Sequence, residues 1–196
     1  MTPKAICPIC GRPSLDGMTH PKCERALGLD GLISFFKYEG PIRKALLALK
    51  YQFAYDIAKE FARDMAHLLT SGFNPLPKKA ILIPVPIYKD RENWRGFNQS
   101  EKIAKILAKE LNLKFVPDLL IKKVRTKPQT ELTRKARLRN LRNVFSINPN
   151  YTLDPKRYSL ILFDDIWTTG TTLKEAAKVL KRKGARLVWG LTLARS

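Results

Sequence analysis

Cysteine is scarce in this chain: there are three in 196 residues, the last at position 23. That excludes a disulfide framework for the bulk of the protein. Histidine is scarcer still, at two, so imidazole chemistry is confined to His20 and His67. Long apolar runs are missing as well. The longest, 81–88, contains Pro84 and Pro86 and falls far short of the roughly 20 residues that cross a bilayer. No membrane insertion is expected. Near the N-terminus, Cys7 and Cys10 stand where a signal peptide would carry its apolar core, so the expected compartment is the cytoplasm. Acidic residues are outnumbered, 17 against 37 basic, for a net charge of +20. A surplus of that size disfavours cationic partners and favours polyanions such as nucleic acid, phosphorylated metabolites or an acidic membrane surface. Internal repeats and low-complexity tracts are absent too.

The few cysteines that exist are informative. Cys7-Pro8-Ile9-Cys10 and His20-Pro21-Lys22-Cys23 share a two-residue spacing and are joined by a turn-rich link through Gly11, Pro13 and Gly17. Each pair places two ligands on one side of a tight turn, and two such knuckles complete a tetrahedron. Three thiolates and one imidazole make a closed site, which is structural zinc chemistry; a catalytic zinc keeps one position for water. An odd cysteine count argues against disulfides, and a redox CxxC lacks its βαβ context here. The expected ligands are Cys7, Cys10, His20 and Cys23. If His20 points elsewhere, three protein ligands remain. Zinc at this position supplies folding free energy to a segment too short to bury its own core.

The richest stretch runs from Tyr158 to Thr172. An apolar run ending at Phe163 reads as a strand covered on both faces. Asp164 and Asp165 follow it, then Thr168-Thr169-Gly170-Thr171-Thr172, then helical apolar spacing at Leu173, Ala176, Ala177 and Leu180. Thr172 and Glu175 fit a capping box at the helix start. A loop of free N–H groups at a helix N-terminus is an anion site, with Gly170 permitting the bend and the threonines adding hydroxyls. The two acids can accept hydrogen bonds from vicinal hydroxyls of a sugar. Phosphate beside diol suggests a ribose 5-phosphate unit. The plainer reading is a strand–turn–helix with a polar tip.

Elsewhere the pattern is that of an α/β protein. Residues 41–69 have helical periodicity, with a break near Tyr51-Gln52-Phe53, and form either a hood over a ligand site or a layer packed on the sheet. His67, within it, reads as a surface or packing residue. Strands are expected at 80–86, 112–117, 119–124, 144–147 and 186–194, and a helix over 98–111 capped by Asn98 with Glu101. Leu29, Leu32, Ile33, Phe35 and Phe36 read as the join between the metal ribbon and the main body. Alternating strands and helices imply a largely parallel sheet flanked by helices. Between Lys122 and Arg142 stand nine basic residues and one acid, Glu131. That run is either a polyanion surface or a solvated face.

The run through Asp164-Asp165 and Thr168–Thr172 resembles the phosphoribosyl-pyrophosphate (PRPP) loop of type I phosphoribosyltransferases. The order of the remaining pieces extends the likeness over essentially the whole chain. A cysteine knuckle is followed by Leu49-Lys50-Tyr51, Ile83-Pro84-Val85-Pro86, Arg95-Gly96-Phe97-Asn98-Gln99, and then Pro128-Gln129, Leu132, Arg137 and Asn140. In this combination the chain resembles the ComF/GntX-type competence family, departing from it where His20 replaces a common fourth cysteine. The resemblance implies a type I phosphoribosyltransferase-like sheet with a small N-terminal zinc ribbon, PRPP or ribose 5-phosphate as ligand, and Mg²⁺ with PRPP. It divides the chain into a zinc-ribbon-like module (1–38), a helical hood or connector (39–77) and a phosphoribosyltransferase-like domain (78–196). Thr168, Thr169, Gly170, Thr171 and Thr172 then hold the 5-phosphate, and Asp164 and Asp165 the ribose hydroxyls. Arg91 and Arg95, beyond the strand ending at Pro86, are placed in sequence to meet pyrophosphate and 125–142 to close over the site as a lid, with surface solvation as the alternative reading for each arginine. No residue identifies an acceptor, so pentosyl transfer is an open question. The competence resemblance also implies single-stranded DNA and competence or recombination proteins as partners. Tyr51, Phe53, Trp94 and Phe97, interleaved with basic residues, are the candidate stacking platforms for a strand, with core packing as the alternative.

Overall fold

A computed structural model describes residues 4–51, 55–71, 76–77, 79–90, 96–123, 144–151, 154 and 157–196. In chain order the elements are β1 (Lys4–Ala5), β2 (Gly31–Lys37), α1 (Gly40–Tyr51), α2 (Tyr55–Thr70), β3 (Ala80–Pro84) and α3 (Gln99–Glu110). They continue with β4 (Lys114–Phe115), β5 (Leu120–Lys122), β6 (Phe145–Ile147), β7 (Ser159–Trp167), α4 (Thr171–Arg182) and β8 (Leu187–Arg195). Six strands form one sheet in the order β1-β2-β8-β7-β3-β4. Every neighbouring pair is parallel except β1 with β2. β5 and β6 make a separate antiparallel pair.

Alternation along β7 divides the core. Leu160 and Leu162 face α4 and the β5–β6 pair, in a cluster with Leu173, Ala176, Ala177, Leu180, Leu120 and Phe145. Ile161 and Phe163 face α1, α2 and α3, among Leu46, Leu49, Phe61, Met65, Ile103 and Leu107. A parallel strand buried on both faces needs apolar residues at every position, which is why the run before Asp164 is unbroken. The apolar faces of α1 and α2 pack on the sheet. His67 is exposed in the last turn of α2.

Two elements depart from the sequence reading. Residues 31–37, read as a join, form β2, a strand inside the main sheet and parallel to β8. Ser34 and Thr192 exchange a buried hydroxyl–hydroxyl bond of 2.7 Å between these strands. The strand ahead of the Thr-rich loop also runs further than expected. Pairing with β8 continues through Asp164↔Thr192 to Trp167↔Arg195, so both acids lie within β7 rather than after it.

A half-buried clasp fixes the entry to β2. One carboxylate oxygen of Asp30 accepts the Val188 backbone N–H at 2.6 Å and stands 2.7 Å from the Lys181 ammonium. Lys181 also donates to the Arg186 carbonyl at 2.9 Å, so one side chain joins α4, β8 and the turn before β2. Among the described residues no helix is long and apolar enough to cross a membrane.

Candidate functional site

The site is built at the carboxyl ends of β3, β7 and β8, the edge at which open parallel sheets present ligand loops. β7 ends at Trp167 and the chain turns through Thr168 and Thr169 to Gly170, the N-cap of α4. Gly170 has φ of 70°, and a Cβ placed there would lie 2.1 Å from the Trp167 ring. Left-handed backbone and a ring directly beneath it both demand glycine. The helix therefore opens at Thr171, with no side chain capping it at Gly170. The expected capping box from Thr172 is not the start of the helix, and Glu175 pairs with Lys178 instead. Thr169 and Thr171 hydroxyls bond each other at 2.7 Å, which holds the loop curved around the first helical turn. Lys174 reaches the Thr169 carbonyl at 3.4 Å while its ammonium stands 5.2 Å from the Trp167 ring centroid. Cationic charge thus lies beside backbone N–H groups and hydroxyls, a combination that attracts anions.

The acids are held from across the sheet. α3 begins at Gln99, with Asn98 as N-cap: its side chain accepts from Ser100 N–H at 3.1 Å and donates to the Val85 carbonyl at 3.1 Å. The bond to Val85 anchors the helix start to the exit of β3. Gln99 then donates its amide N–H to Asp165 at 3.2 Å, and the Ser100 hydroxyl donates to Asp164 at 3.3 Å. Asp164 in turn accepts the Asp165 backbone N–H at 2.9 Å. Asp165 is 7% exposed and Asp164 half-buried. Carboxylate oxygens suit a hydroxylated ligand or a hard cation.

Gln99 and Ser100 escaped the sequence reading as site residues. A signal was present: they occupy the stripe of α3 that continues through Ile103, Ala104, Leu107 and Ala108, all buried. Polar residues on the buried stripe of a helix need buried partners. Phe97, a candidate stacking platform, is buried, with Lys102 4.1 Å from its ring centroid, and offers no open face. Arg91, Arg95, Trp94, Phe53, the Tyr51 side chain and the basic stretch 125–142, including Pro128, Gln129, Leu132, Arg137 and Asn140, lie outside the described residues.

The second cluster is the knuckle pair. One ligand atom from each of Cys7, Cys10, His20 and Cys23 lies within 4.8 Å of the others. The turn of the first knuckle closes through Cys7 N–H to Arg12 O and Gly11 N–H to Cys7 O, both 2.9 Å; the second closes through Cys23 N–H to His20 O at 2.7 Å. His20 Nδ1 stands 3.4 Å from Cys10 Sγ while Nε2 lies 3.0 Å from the Pro13 carbonyl. A proton on Nε2 satisfies that carbonyl and leaves Nδ1 as the lone-pair donor facing the thiols. The Cys10 thiol is pulled down to about 6, chiefly by the backbone N–H of Arg12, with the Arg12 and His20 side chains adding to it. Burial pushes the Cys23 thiol up. Cys10 is thus the first of the pair to present a thiolate to a soft cation. Zn–S distances of about 2.3 Å put the sulfurs of a tetrahedron about 3.8 Å apart, which this cluster accommodates.

The two clusters meet. A cleft of about 510 Å³ is lined by Pro8, Ile9, Cys10 and Gly11 of the first knuckle, by Trp167, Thr168, Thr169 and Lys174, and by Ser196, whose N–H donates to the Trp167 carbonyl at 3.0 Å.

Residues 98–195, from the cap of α3 to the end of β8, match the phosphoribosyl transferase domain. The chain belongs to that family. This phosphoribosyl transferase domain protein also has curated relatives over nearly its full length. DNA utilization protein YhgH of Salmonella typhi is 30% identical over 98% of this chain and 85% of its own. Competence protein ComFC of Bacillus subtilis is 29% identical over 97% of this chain and 78% of its own. Competence protein F of Haemophilus influenzae is 30% identical over 84% and 73% respectively. The competence-type resemblance carried by the motifs agrees with these relatives. Among solved structures, a hypoxanthine phosphoribosyltransferase from Staphylococcus aureus covers 72% of this chain and aligns over 65% of its own, with 13% identity and a TM-score of 0.45. A likeness that loose adds nothing to the family assignment.

Proposed function

We propose that this protein binds a ribose 5-phosphate unit, as PRPP with Mg²⁺, at the loop 168–172 and the acid pair. The observation that carries the reading is the Gly170 turn at the N-terminus of α4, beside two carboxylates held by α3, in a chain of this family. The backbone N–H groups of the first helical turn and the exposed Thr168 receive the 5-phosphate. Asp164 and Asp165 accept the ribose hydroxyls. Their oxygens are hard donors that suit Mg²⁺, which when bound offsets the charge of a leaving pyrophosphate. Arg91 and Arg95 are proposed to neutralise the same pyrophosphate. The donor set Cys7, Cys10, His20 and Cys23 suits Zn²⁺ in a structural role.

The test is titration of the protein with ribose 5-phosphate and with PRPP plus Mg²⁺ by calorimetry. Saturable binding is expected, weakened at least about tenfold when Asp164→Asn and Asp165→Asn are combined, because two ligand hydroxyls lose charged acceptors. A folded wild-type protein that takes up neither compound would rule the reading out. Pyrophosphate release in the presence of candidate acceptors then decides whether pentosyl transfer occurs.

A second reading is supported by the +20 charge and by relatives named for DNA utilization and competence: the protein binds single-stranded DNA, with the phosphosugar pocket in a regulatory or vestigial role. Affinity for an oligonucleotide is expected to fall linearly, on logarithmic axes, with salt, at a slope of roughly 0.7 per phosphate neutralised. A flat response in a filter-binding series would remove the electrostatic argument.

A further inference from the structure

We propose that the first metal knuckle is the outer wall of the phosphate end of the cleft, and that metal binding and phosphate-ester binding are coupled through it. The inference rests on the reading of 168–172 as the phosphate loop. Ile9, Cys10 and Gly11 face Thr168, Thr169 and Lys174 across the cleft. Cys10 belongs to both features: it lines the cleft, and its Sγ is one of the four clustered ligand atoms. Its sulfur stands 3.4 Å from the His20 ring, on the second knuckle. The turn of the knuckle is closed on itself by the bonds from Cys7 and Gly11 and by the bridge between Ile6 and Pro13, and it is joined to the sheet through the two-residue strand β1 and through Ile6, buried beside Leu29 and Leu32.

Beyond that anchor, Ile9, Cys10 and Gly11 lie outside the strands, and ligation is what joins them to the second knuckle. A cation that draws Cys7 and Cys10 to His20 and Cys23 fixes the wall before any anion arrives. The ordering entropy is then already spent when the phosphate ester binds. Thermodynamic linkage makes the effect mutual: whatever factor the metal adds to phosphate-ester affinity, the ester adds to metal affinity. The same wall screens the phosphate end from solvent, which strengthens its attraction to Lys174 and to the N–H groups of α4.

The experiment uses the full chain with zinc and after zinc removal by a chelator, titrated with ribose 5-phosphate. Affinity is expected to be roughly 5-fold or more higher with zinc. Zinc affinity, read by competition with a chromophoric chelator, is expected to rise by the same factor at saturating ribose 5-phosphate. Equal affinities in a metal-free protein that stays folded by circular dichroism overturn the coupling while leaving the phosphate reading intact. Absence of binding to the zinc-loaded chain overturns both. Should zinc removal unfold the chain, Ile9→Asp and Ile9→Asn in the zinc-loaded protein decide, since Ile9 lines the wall without ligating. Weaker binding of ribose 5-phosphate by Ile9→Asp than by Ile9→Asn, at unchanged zinc stoichiometry, supports the wall; wild-type affinity in both overturns it.

Discussion

Gly170 carries two constraints at once, since its backbone is left-handed and the Trp167 ring lies where a side chain would begin. Gly170→Ala is therefore expected to lower stability by about 1–3 kcal/mol, read as a shift in denaturant midpoint, and to weaken ribose 5-phosphate binding by distorting the loop. An unchanged midpoint would mean that Trp167 moves aside at no cost. Gln99 is the other informative residue. Replacing its amide with a carboxylate, Gln99→Glu, sets a second negative charge against the buried Asp165 carboxylate. Like charges raise the folded-state pKa of the pair above its unfolded value, so the destabilisation is largest at neutral pH. It is relieved as pH falls through the raised value and the pair takes up a proton. The expected loss is about 1–3 kcal/mol at pH 7, shrinking toward pH 4 in parallel urea titrations. The Gly170 turn at the head of α4 was legible in the sequence because the turn is written in consecutive residues. The Gln99 and Ser100 bonds were not, because their partners are 66 and 64 positions away. Only the odd placement of polar residues on the buried stripe of α3 hinted at them.

At the scale of elements, β3, β7, α3 and α4 were legible because each has an unambiguous apolar pattern, even where an end was misplaced. β2 was not. Its sequence, Gly-Leu-Ile-Ser-Phe-Phe-Lys, follows soon after the Cys/His cluster, and nothing local shows that its partner is β8, with Ser34 bonded to Thr192 158 positions away. The end of β7 was misplaced for a related reason. Acids normally mark where a strand stops, but pairing with β8 carries this one past them to Trp167. The Asp30 clasp is what aligns these elements. Asp30→Ala leaves the mostly buried Lys181 ammonium short of its counterion and the Val188 N–H without its acceptor. A loss of roughly 1–3 kcal/mol is expected in thermal or urea unfolding. A much smaller value would indicate that water replaces the carboxylate.

For the whole molecule, the ribbon and the sheet are joined by strand pairing as well as by chain. β1 pairs with β2, β2 lies against β8, and the cleft is closed on one side by residues 8–11. If the metal is structural, its removal should be felt beyond the ribbon. Chelation of the zinc-loaded protein is expected to lower the melting temperature of the main transition rather than add a separate early one. Two resolved transitions would show instead that the ribbon unfolds independently.

The sheet order has a consequence for synthesis. β8 lies between β2 and β7, so the earliest parallel strand and the strand bearing the acids are not joined into one sheet until residues 187–195 are available. While the ribosome is still making that segment, the strand edges destined for β8 are unfilled, and the nascent chain presents them to solvent and chaperones. A chain halted at residue 186 is expected to be cut rapidly by a nonspecific protease that leaves the full-length protein intact.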